Sequence, residues 1–180
     1  GTNKLSIADV KKLQTAHPNV VFHYSFKLFG KTLSTTDETV EFVDYSIGNE
    51  GEEEIRAALS VLDNCKRFLL EDCGIDNEVL AKLREDFRGQ TKVVWRIWFG
   101  KYTALTDQET IRAVYNVFDN TCHDLRYCED VKYMDIGHND TLTDLSFVGY
   151  MPNIEVLIAS GCAATELVGF ENCKKLTWLE

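Results

Sequence analysis

Proline is scarce in this sequence, and long apolar runs and clusters of positive charge are missing from it. The two prolines are Pro18 and Pro152, and no Gly/Ser-rich linker interrupts the chain. One continuous domain over residues 1–180 is therefore the simplest interpretation. The longest apolar stretches, such as 93–95 and 156–159, are far shorter than the ~20 residues that a membrane-spanning helix needs. The sequence predicts no membrane span.

The sequence has fewer positively charged than negatively charged side chains. Lysine and arginine number 19 against 29 aspartates and glutamates, a formal net charge of -10. Binding to a phosphate backbone depends on clustered basic side chains that release counterions. We therefore expect no nucleic-acid partner.

Short catalytic signatures are also missing. The sequence has no G-x-S-x-G elbow, Walker loop, G-x-G-x-x-G run or H-E-x-x-H pair, and its four histidines are scattered. We accordingly predict no catalytic residue, no cofactor and no metal site.

What the chain does have is an internal repeat in its last third. Apolar or small residues recur in the order Cys128, Val131, Met134, Ile136, Asn139, Leu142, then Met151, Ile154, Leu157, Ala159, Cys162, Ala164, then Cys173, Leu176, Leu179. The steps from Val131 to Ile154 to Leu176 are 23 and 22 residues. Within each repeat a period-two pair predicts a short strand, and the following Asn or Cys predicts a turn. Stacked repeats would share one core behind a parallel sheet.

This pattern resembles the leucine-rich repeat, L-x-x-L-x-L-x-x-N/C-x-L, of bacterial surface proteins of the internalin-like type. The resemblance is clearest over residues 125–180. It implies a right-handed α/β solenoid with a parallel sheet on its concave face, a protein-binding role, and a secreted or cell-surface location. Looser matches occur upstream, at Leu62, Cys65, Phe68, Leu70, Cys73 and Ile75, at Val40, Phe42, Tyr45 and Ile47, and at Ile111, Ala113, Asn116 and Phe118.

Residues 1–124 carry a longer duplication at an offset of 70 residues, in which Phe29-Gly30-Lys31 recurs as Phe99-Gly100-Lys101. We predict irregular repeats here, with helices over 6–16, 76–87 and around 55–62. Hairpins are predicted from 22–28 paired with 31–35 and from 93–98 paired with 101–105, each turning at the glycine.

The six cysteines would allow three disulfides. Five of them, Cys65, Cys73, Cys128, Cys162 and Cys173, fall on repeat positions that favour buried thiols instead. Cys122 is the exception, because it lies in the run Thr121-Cys122-His123-Asp124.

That run leaves two alternatives open beside a plain connector. One is a nucleophilic thiol, in an enzyme that uses Cys122 or the region of Trp95, Trp98 and Tyr102. The other is a zinc site from Cys122, His123 and Cys128, which lacks Cys-x-x-Cys spacing and a fourth ligand. A calcium site from Asp135, Asp140 and Asp144 also matches no known loop spacing.

The repeat register predicts which strand residues face outward. They are Arg67, Leu69 and Glu71, then Arg112, then Tyr133 and Asp135, then Val156 and Ile158, then Trp178. Apolar and aromatic residues predominate toward the C-terminal end of this face, as they do at interaction sites. We expect ligand binding there, unless another repeat or chain covers the face.

The two ends of the sequence carry expectations of their own. The chain starts at Gly1-Thr2-Asn3, which we interpret as an end created by processing or cloning. It stops at Trp178-Leu179-Glu180, inside a strand pattern. A sheet edge open at that point predicts self-association, truncation or a continuation of the chain.

The leading functional hypothesis is a non-catalytic module that binds a protein or glycan through the sheet face. One alternative is a spacer or capping segment of a longer surface protein, and the other is a thiol-dependent enzyme.

Overall fold

The computed structural model describes residues 6–180, so the Gly1-Thr2-Asn3 start lies outside the described residues. The chain divides into two compact units, Gly1–Val94 and Trp95–Glu180. The described part is mixed α/β, with parallel and antiparallel strand pairs and three α-helices. The assignment of residues 1–180 to one repeat domain stays a prediction.

The first unit combines three α-helices and one 3-10 helix, Asn49–Gly51, with short strands. Its elements are α1 (Ile7–Ala16), β1 (Ser25–Leu28), β2 (Lys31–Ser34), β3 (Thr39–Val43), α2 (Glu52–Leu59), β4 (Arg67–Glu71), α3 (Asn77–Asp86) and the start of β5 (Lys92–Phe99). Strands β3 and β4 are parallel, with Val40 opposite Phe68 and Phe42 opposite Leu70. These four side chains are buried, so these positions predicted for the upstream repeats do form a core, whereas the predicted position Tyr45 is 36% exposed.

Helix α1 begins where the sequence predicts. The Ser6 hydroxyl accepts from the Asp9 N–H, and the Asp9 carboxylate accepts from the Ser6 N–H, a capping box. Helix α3 begins after Asp76, whose backbone N–H donates to Asn49 Oδ1 at 2.8 Å. The predicted helices 6–16 and 76–87 are therefore confirmed to within a residue.

Both predicted hairpins form, but with different turns. Phe29 and Gly30 lie between β1 and β2 with φ of 46° and 82°, the positive pair that a type I′ turn requires. The second hairpin pairs Phe99 with Tyr102, so Gly100, φ 62°, and Lys101 occupy its turn. The turn therefore falls one residue later in the second copy of Phe-Gly-Lys. Phe29 is a turn residue, whereas Phe99 belongs to strand β5.

The second unit contains a four-stranded parallel sheet. Its elements are the remainder of β5, β6 (Tyr102–Leu105), β7 (Thr110–Arg112), β8 (Tyr133–Asp135), β9 (Val156–Ile158), β10 (Trp178–Leu179) and three one-turn 3-10 helices at His123–Tyr127, Ser146–Tyr150 and Phe170–Asn172. Strands β7 to β10 neighbour one another in sequence order. Met134 pairs with Leu157, and Leu157 with Leu179. The predicted repeat register is confirmed.

The turns after β8 and β9 are each tied to an earlier repeat by one side chain, that of Asn139 or Cys162. Asn139 donates from Nδ2 to the carbonyls of Ala113, 2.9 Å, and Ile136, 2.6 Å, and its Oδ1 accepts from the Val117 N–H at 2.8 Å. One repeat later, the Cys162 thiol donates to the Ile136 carbonyl at 3.2 Å. Asn139 and Cys162 each reach a carbonyl 26 residues earlier. Asparagine and cysteine therefore occupy the same repeat position, as predicted, and the cysteine also donates a hydrogen bond there, which was not predicted.

Some predicted repeat positions are wrong in detail. Asn116 and Phe118 are exposed, and Val117 is the buried residue. Tyr115 and Asn116 both have positive φ, 69° and 64°, so the chain turns there and shifts the inward position. Leu179 is exposed although its partner Leu157 is buried, because β10 is an edge strand of the sheet formed by the described residues.

The asparagine link generates a stability prediction. Asn139→Ala leaves the Val117 N–H and the Ala113 carbonyl buried without their partner, and we expect a loss of about 2–4 kcal/mol in the free energy of unfolding. Asn139→Cys should lose about half as much, because a thiol can still donate to a carbonyl as Cys162 does. Urea unfolding followed by circular dichroism measures both. The exposed neighbour Asp140→Ala is the control, and equal stability of the Asn139→Ala and Asp140→Ala variants would contradict the role assigned to Asn139.

Candidate functional site

The sheet of the second unit presents two rows of side chains on the side opposite its buried row. The register places Thr110, Tyr133, Val156 and Trp178 in one row, and Arg112, Asp135 and Ile158 in the other. The residues between them, Ile111, Met134 and Leu157, are buried. We call the seven residues of these two rows the sheet face.

Apolar and aromatic groups dominate the part of the sheet face that lies on strands β8, β9 and β10. Tyr133, Val156 and Ile158 are partly exposed, and Trp178 is 58% exposed. Because Tyr133, Val156 and Trp178 occupy the same row of adjacent strands, their side chains form a continuous strip. A solvent-exposed strip of this kind is typical of an interaction surface.

A charged pair lies beside that strip. Arg112 Nε is 3.1 Å from Asp135 Oδ2, and the Arg112 side chain is 75% exposed while that of Asp135 is 11% exposed. Asp135 Oδ1 also accepts from the Gly137 N–H at 3.2 Å. The largely buried carboxylate thus fixes one edge of the guanidinium, and the rest of the guanidinium faces solvent. Asp135 itself is buried, so it positions Arg112 and offers little surface of its own.

The first unit has a much weaker version of this surface. Arg67 and Glu71 are partly exposed on β4, and Arg67 Nη1 lies 3.4 Å from Glu41 Oε1 on β3. Leu69 is only 4% exposed, so its predicted outward, ligand-accessible position is wrong. Strand β4 is buried along its whole centre, as parallel strands covered on both sides are. The alternation that predicted Leu69 therefore fails there.

One member of the sheet face was not predicted. Thr110 is exposed at the start of β7, opposite Tyr133. The signal was available, since Thr110 lies two residues before Arg112 and strand side chains alternate with period two.

The thiol of Cys122 is buried immediately before the 3-10 helix His123–Tyr127. Cys122 is fully buried, and its Sγ lies 3.4 Å from the Asp119 carbonyl oxygen and 3.7 Å from that of Asp144. Burial, and then the negative charges of Asp144 and Asp119, raise the pKa of Cys122 to about 12. A nucleophilic cysteine requires the opposite shift. The geometry opposes the thiol-enzyme alternative at this residue.

The other aromatic candidates have separate environments. Trp95 is buried against the Tyr127 ring, with centroids 5.6 Å apart. Tyr102 stacks on Phe99, and its hydroxyl donates to the Val114 carbonyl at 2.5 Å. Trp98 points the other way and is 59% exposed. Trp95 and Tyr102 therefore have structural contacts, and Trp98 alone of the three projects into solvent.

The described residues contain no group of three or more His, Cys, Asp or Glu side chains able to hold a metal ion. Neither the zinc ligands nor the calcium ligands considered from the sequence form such a group. In the same part of the chain, no helix is long and apolar enough to span a membrane.

Comparisons with known proteins find similarity among solved structures and none elsewhere. No protein-family model matches the sequence, and no curated protein is similar to it. Among solved structures the chain is similar to an internalin from Listeria monocytogenes, with 21% identity and a TM-score of 0.38. The match covers 68% of this chain and 43% of the internalin chain, so this chain spans less than half of that protein's length.

The thiol environments generate a prediction about reactivity. With a pKa of about 12, roughly one Cys122 side chain in ten thousand is a thiolate at pH 8. Burial also raises the pKa of Cys65, Cys73 and Cys173. We expect an aromatic disulfide reagent to leave these four thiols unmodified in the folded protein, and to modify all six cysteines after unfolding in guanidinium chloride.

Cys162 is the internal comparison, because it is partly exposed. It should be the first of these thiols to react as denaturant is added. Cys122→Ser is the control, because a rapid phase of thiol modification that is due to Cys122 would be lost in this variant. A fast phase in the native protein that disappears in Cys122→Ser would revive the thiol-enzyme alternative.

Proposed function

We propose that this chain is a non-catalytic protein-interaction module, part of a right-handed leucine-rich-repeat solenoid, that binds a protein partner through its concave sheet face. The observation that carries the proposal is the composition of that face. Trp178, Tyr133 and Arg112 lie together on it, and tryptophan, tyrosine and arginine are the residue types most enriched among interface residues that dominate binding energy.

The arrangement of these residues supports a protein rather than a small ligand. The strip formed by Tyr133, Val156 and Trp178 runs across three strands that are spaced ≈ 4.8 Å apart. It is an extended surface with no enclosure. Small molecules are bound in concave pockets that bury most of their surface, whereas an extended surface with an aromatic centre suits a macromolecule.

The electrostatics of the face supports a defined orientation of the partner. Asp135 holds the Nε edge of Arg112 at 3.1 Å, so the guanidinium has less conformational entropy to lose on binding. Its exposed edge would pair with a carboxylate of the partner in a fixed, two-pronged geometry. An arginine fixed in this way adds specificity to the affinity supplied by the apolar strip.

The repeat geometry supports the solenoid assignment. Strands β7 to β10 are all parallel and adjacent in sequence order, and a 3-10 helix stands between each pair of β7, β8, β9 and β10 along the chain. The Asn139 and Cys162 links recur at the same offset. Secretion or display at a bacterial cell surface is proposed from the sequence resemblance to internalin-like repeats.

The proposal predicts that binding depends on the sheet face while folding does not. We expect Trp178→Ser, Ile158→Ser and Arg112→Ala each to weaken partner binding by at least about tenfold. Each melting temperature should stay within about 2 °C of the parent, because these side chains are on the surface. Partners are first selected on an array of extracellular protein domains, and their affinities are then measured by biolayer interferometry.

Tyr150→Ser is the matched control. Tyr150 is 62% exposed, but it belongs to the 3-10 helix Ser146–Tyr150 and not to the sheet face. Partners that bind the three sheet-face variants as well as they bind the Tyr150→Ser variant would contradict the assigned surface. A chain with no partner that distinguishes these variants would match the spacer alternative.

A further inference from the structure

A second surface feature of the unit Trp95–Glu180 is an open cleft of about 350 Å³, separate from the sheet face. It is lined by Trp98, Gly100, Asn120, Thr121, His123 and Asp124. Trp98 and Gly100 come from the β5–β6 hairpin, and the other four come from the segment that enters the 3-10 helix His123–Tyr127. The volume lies within the range of small-ligand sites.

One wall of the cleft is an aromatic platform. Ile97 and Phe99 on either side of Trp98 point into the core, so the alternation of β5 directs the Trp98 indole outward. It stays 59% exposed beside the cleft. The face of an indole ring carries partial negative charge, and it therefore attracts C–H groups polarised by neighbouring oxygen atoms.

The other lining residues, which we call the polar wall, supply hydrogen-bonding groups. Within residues 6–180 the side chains of Asn120, His123 and Asp124 make no hydrogen bond to the rest of the chain. They are an amide, an imidazole and a carboxylate, which together offer both donors and acceptors. The hydrogen-bonding atoms of these three planar groups are thus open to a ligand or to water, and the His123 ring also interacts electrostatically with Asp119 and Asp144.

The polar wall is held in place from behind. The Asp119 carboxylate accepts from the Thr143 hydroxyl at 2.6 Å and from the N–H groups of Thr143 and Asp144 at 2.8 and 2.9 Å. The same interactions, with the Thr143 hydroxyl contributing most, lower the pKa of Asp119. Asp119 therefore stays ionised and anchors the residues that follow it to the next repeat. The backbone that carries the polar wall is therefore fixed before any ligand arrives, which lowers the cost of binding.

The floor of the cleft requires a glycine. Gly100 has φ of 62°, and a Cβ there would lie 2.2 Å from the Asn116 carbonyl oxygen. The close approach of the hairpin to the 115–121 segment is therefore possible only with glycine at this position. The same approach brings Trp98 and the polar wall to the two sides of one cleft.

We propose that this cleft binds a neutral saccharide, with the sugar ring on Trp98 and its hydroxyl groups on Asn120, His123 and Asp124. A sugar has the two chemistries that the walls present, a face of C–H groups and an edge of hydroxyls. Phosphorylated or acidic ligands fit poorly, because no lysine or arginine lines the cleft and Asp124 carries negative charge. Purely apolar ligands would leave the three polar side chains unpaired.

The test is a nuclear magnetic resonance titration of the 180-residue chain with methyl glycosides of glucose, galactose, mannose and N-acetylglucosamine, and with their common disaccharides. We expect saturable shifts in the Trp98 indole N–H and the amides of residues 120–124 for at least one of these sugars. The absence of saturation by every sugar at about 100 mM, a concentration that detects even very weak sites, would overturn the proposal. So would saturation by glycerol or by sialic acid to the same degree.

Two variants locate the site, and each has a matched control. Trp98→Ala should abolish the shifts and Asp124→Asn should weaken binding about tenfold, the effect of losing a hydrogen bond to a charged group. The controls Trp178→Ala and Asp63→Asn alter an exposed tryptophan and an exposed aspartate elsewhere, and should bind as the parent does. Sugar binding that survives both Trp98→Ala and Asp124→Asn would overturn the assignment of the cleft.

The outcome is independent of the sheet face. Arg112→Ala is expected to reduce partner binding and to leave the sugar titration unchanged. Asp124→Asn is expected to weaken sugar binding and to leave partner binding unchanged. Failure of either proposal therefore leaves the other one standing.

Discussion

The parallel sheet of the second unit depends on satisfying the backbone polar groups that each strand leaves behind when it ends. A parallel strand of two or three residues uses few of its own carbonyls and N–H groups, and those that it leaves buried need other partners. The Asn139 side chain supplies such partners, because it accepts a hydrogen bond from the Val117 N–H and donates to the Ala113 and Ile136 carbonyls. Cys162 then donates to the same Ile136 carbonyl from the next repeat. The result is a series of hydrogen bonds that links three successive repeats through Asn139 and Cys162.

This constraint explains which parts of the fold could be predicted from the sequence. Where the strand, the turn side chain and the next repeat all follow one spacing, as from Val131 to Leu157, the register was predictable, because a period-two pair followed by Asn or Cys has few alternative structures. Where a turn uses unusual backbone conformations, the spacing is misleading. Tyr115 and Asn116 have positive φ although neither is glycine, and this moved the buried position from Phe118 to Val117. Leu69 shows a second limit, because period-two alternation cannot reveal a strand that is covered on both sides.

The two candidate sites differ in predictability for the same reason. The sheet face follows from register alone, so Tyr133, Val156 and Trp178 could be placed side by side before any coordinates were known. The cleft depends on how a hairpin meets a loop about twenty residues later in the chain, and no periodic pattern encodes that approach. Gly100 is the residue that makes it possible, yet in the sequence it is only the glycine of a turn. Its close approach to the Asn116 carbonyl is visible only in three dimensions, and so is the position of Asn120, His123 and Asp124 beside Trp98.

The cysteines bear on the proposed exported location. A secreted protein with six cysteines is usually expected to join them in disulfides, because exposed thiols are oxidised outside the cell. Here five of the six are buried, and desolvation raises the pKa of Cys122 and of every other thiol with a resolved shift. Oxidation and disulfide exchange proceed through the thiolate and require access to it, so both routes are slow while the chain is folded. Cysteine then behaves as a small apolar residue with one weak hydrogen-bond donor, which is what the repeat requires at its turns. The thiol content is therefore compatible with an oxidising environment for as long as the repeats remain stacked.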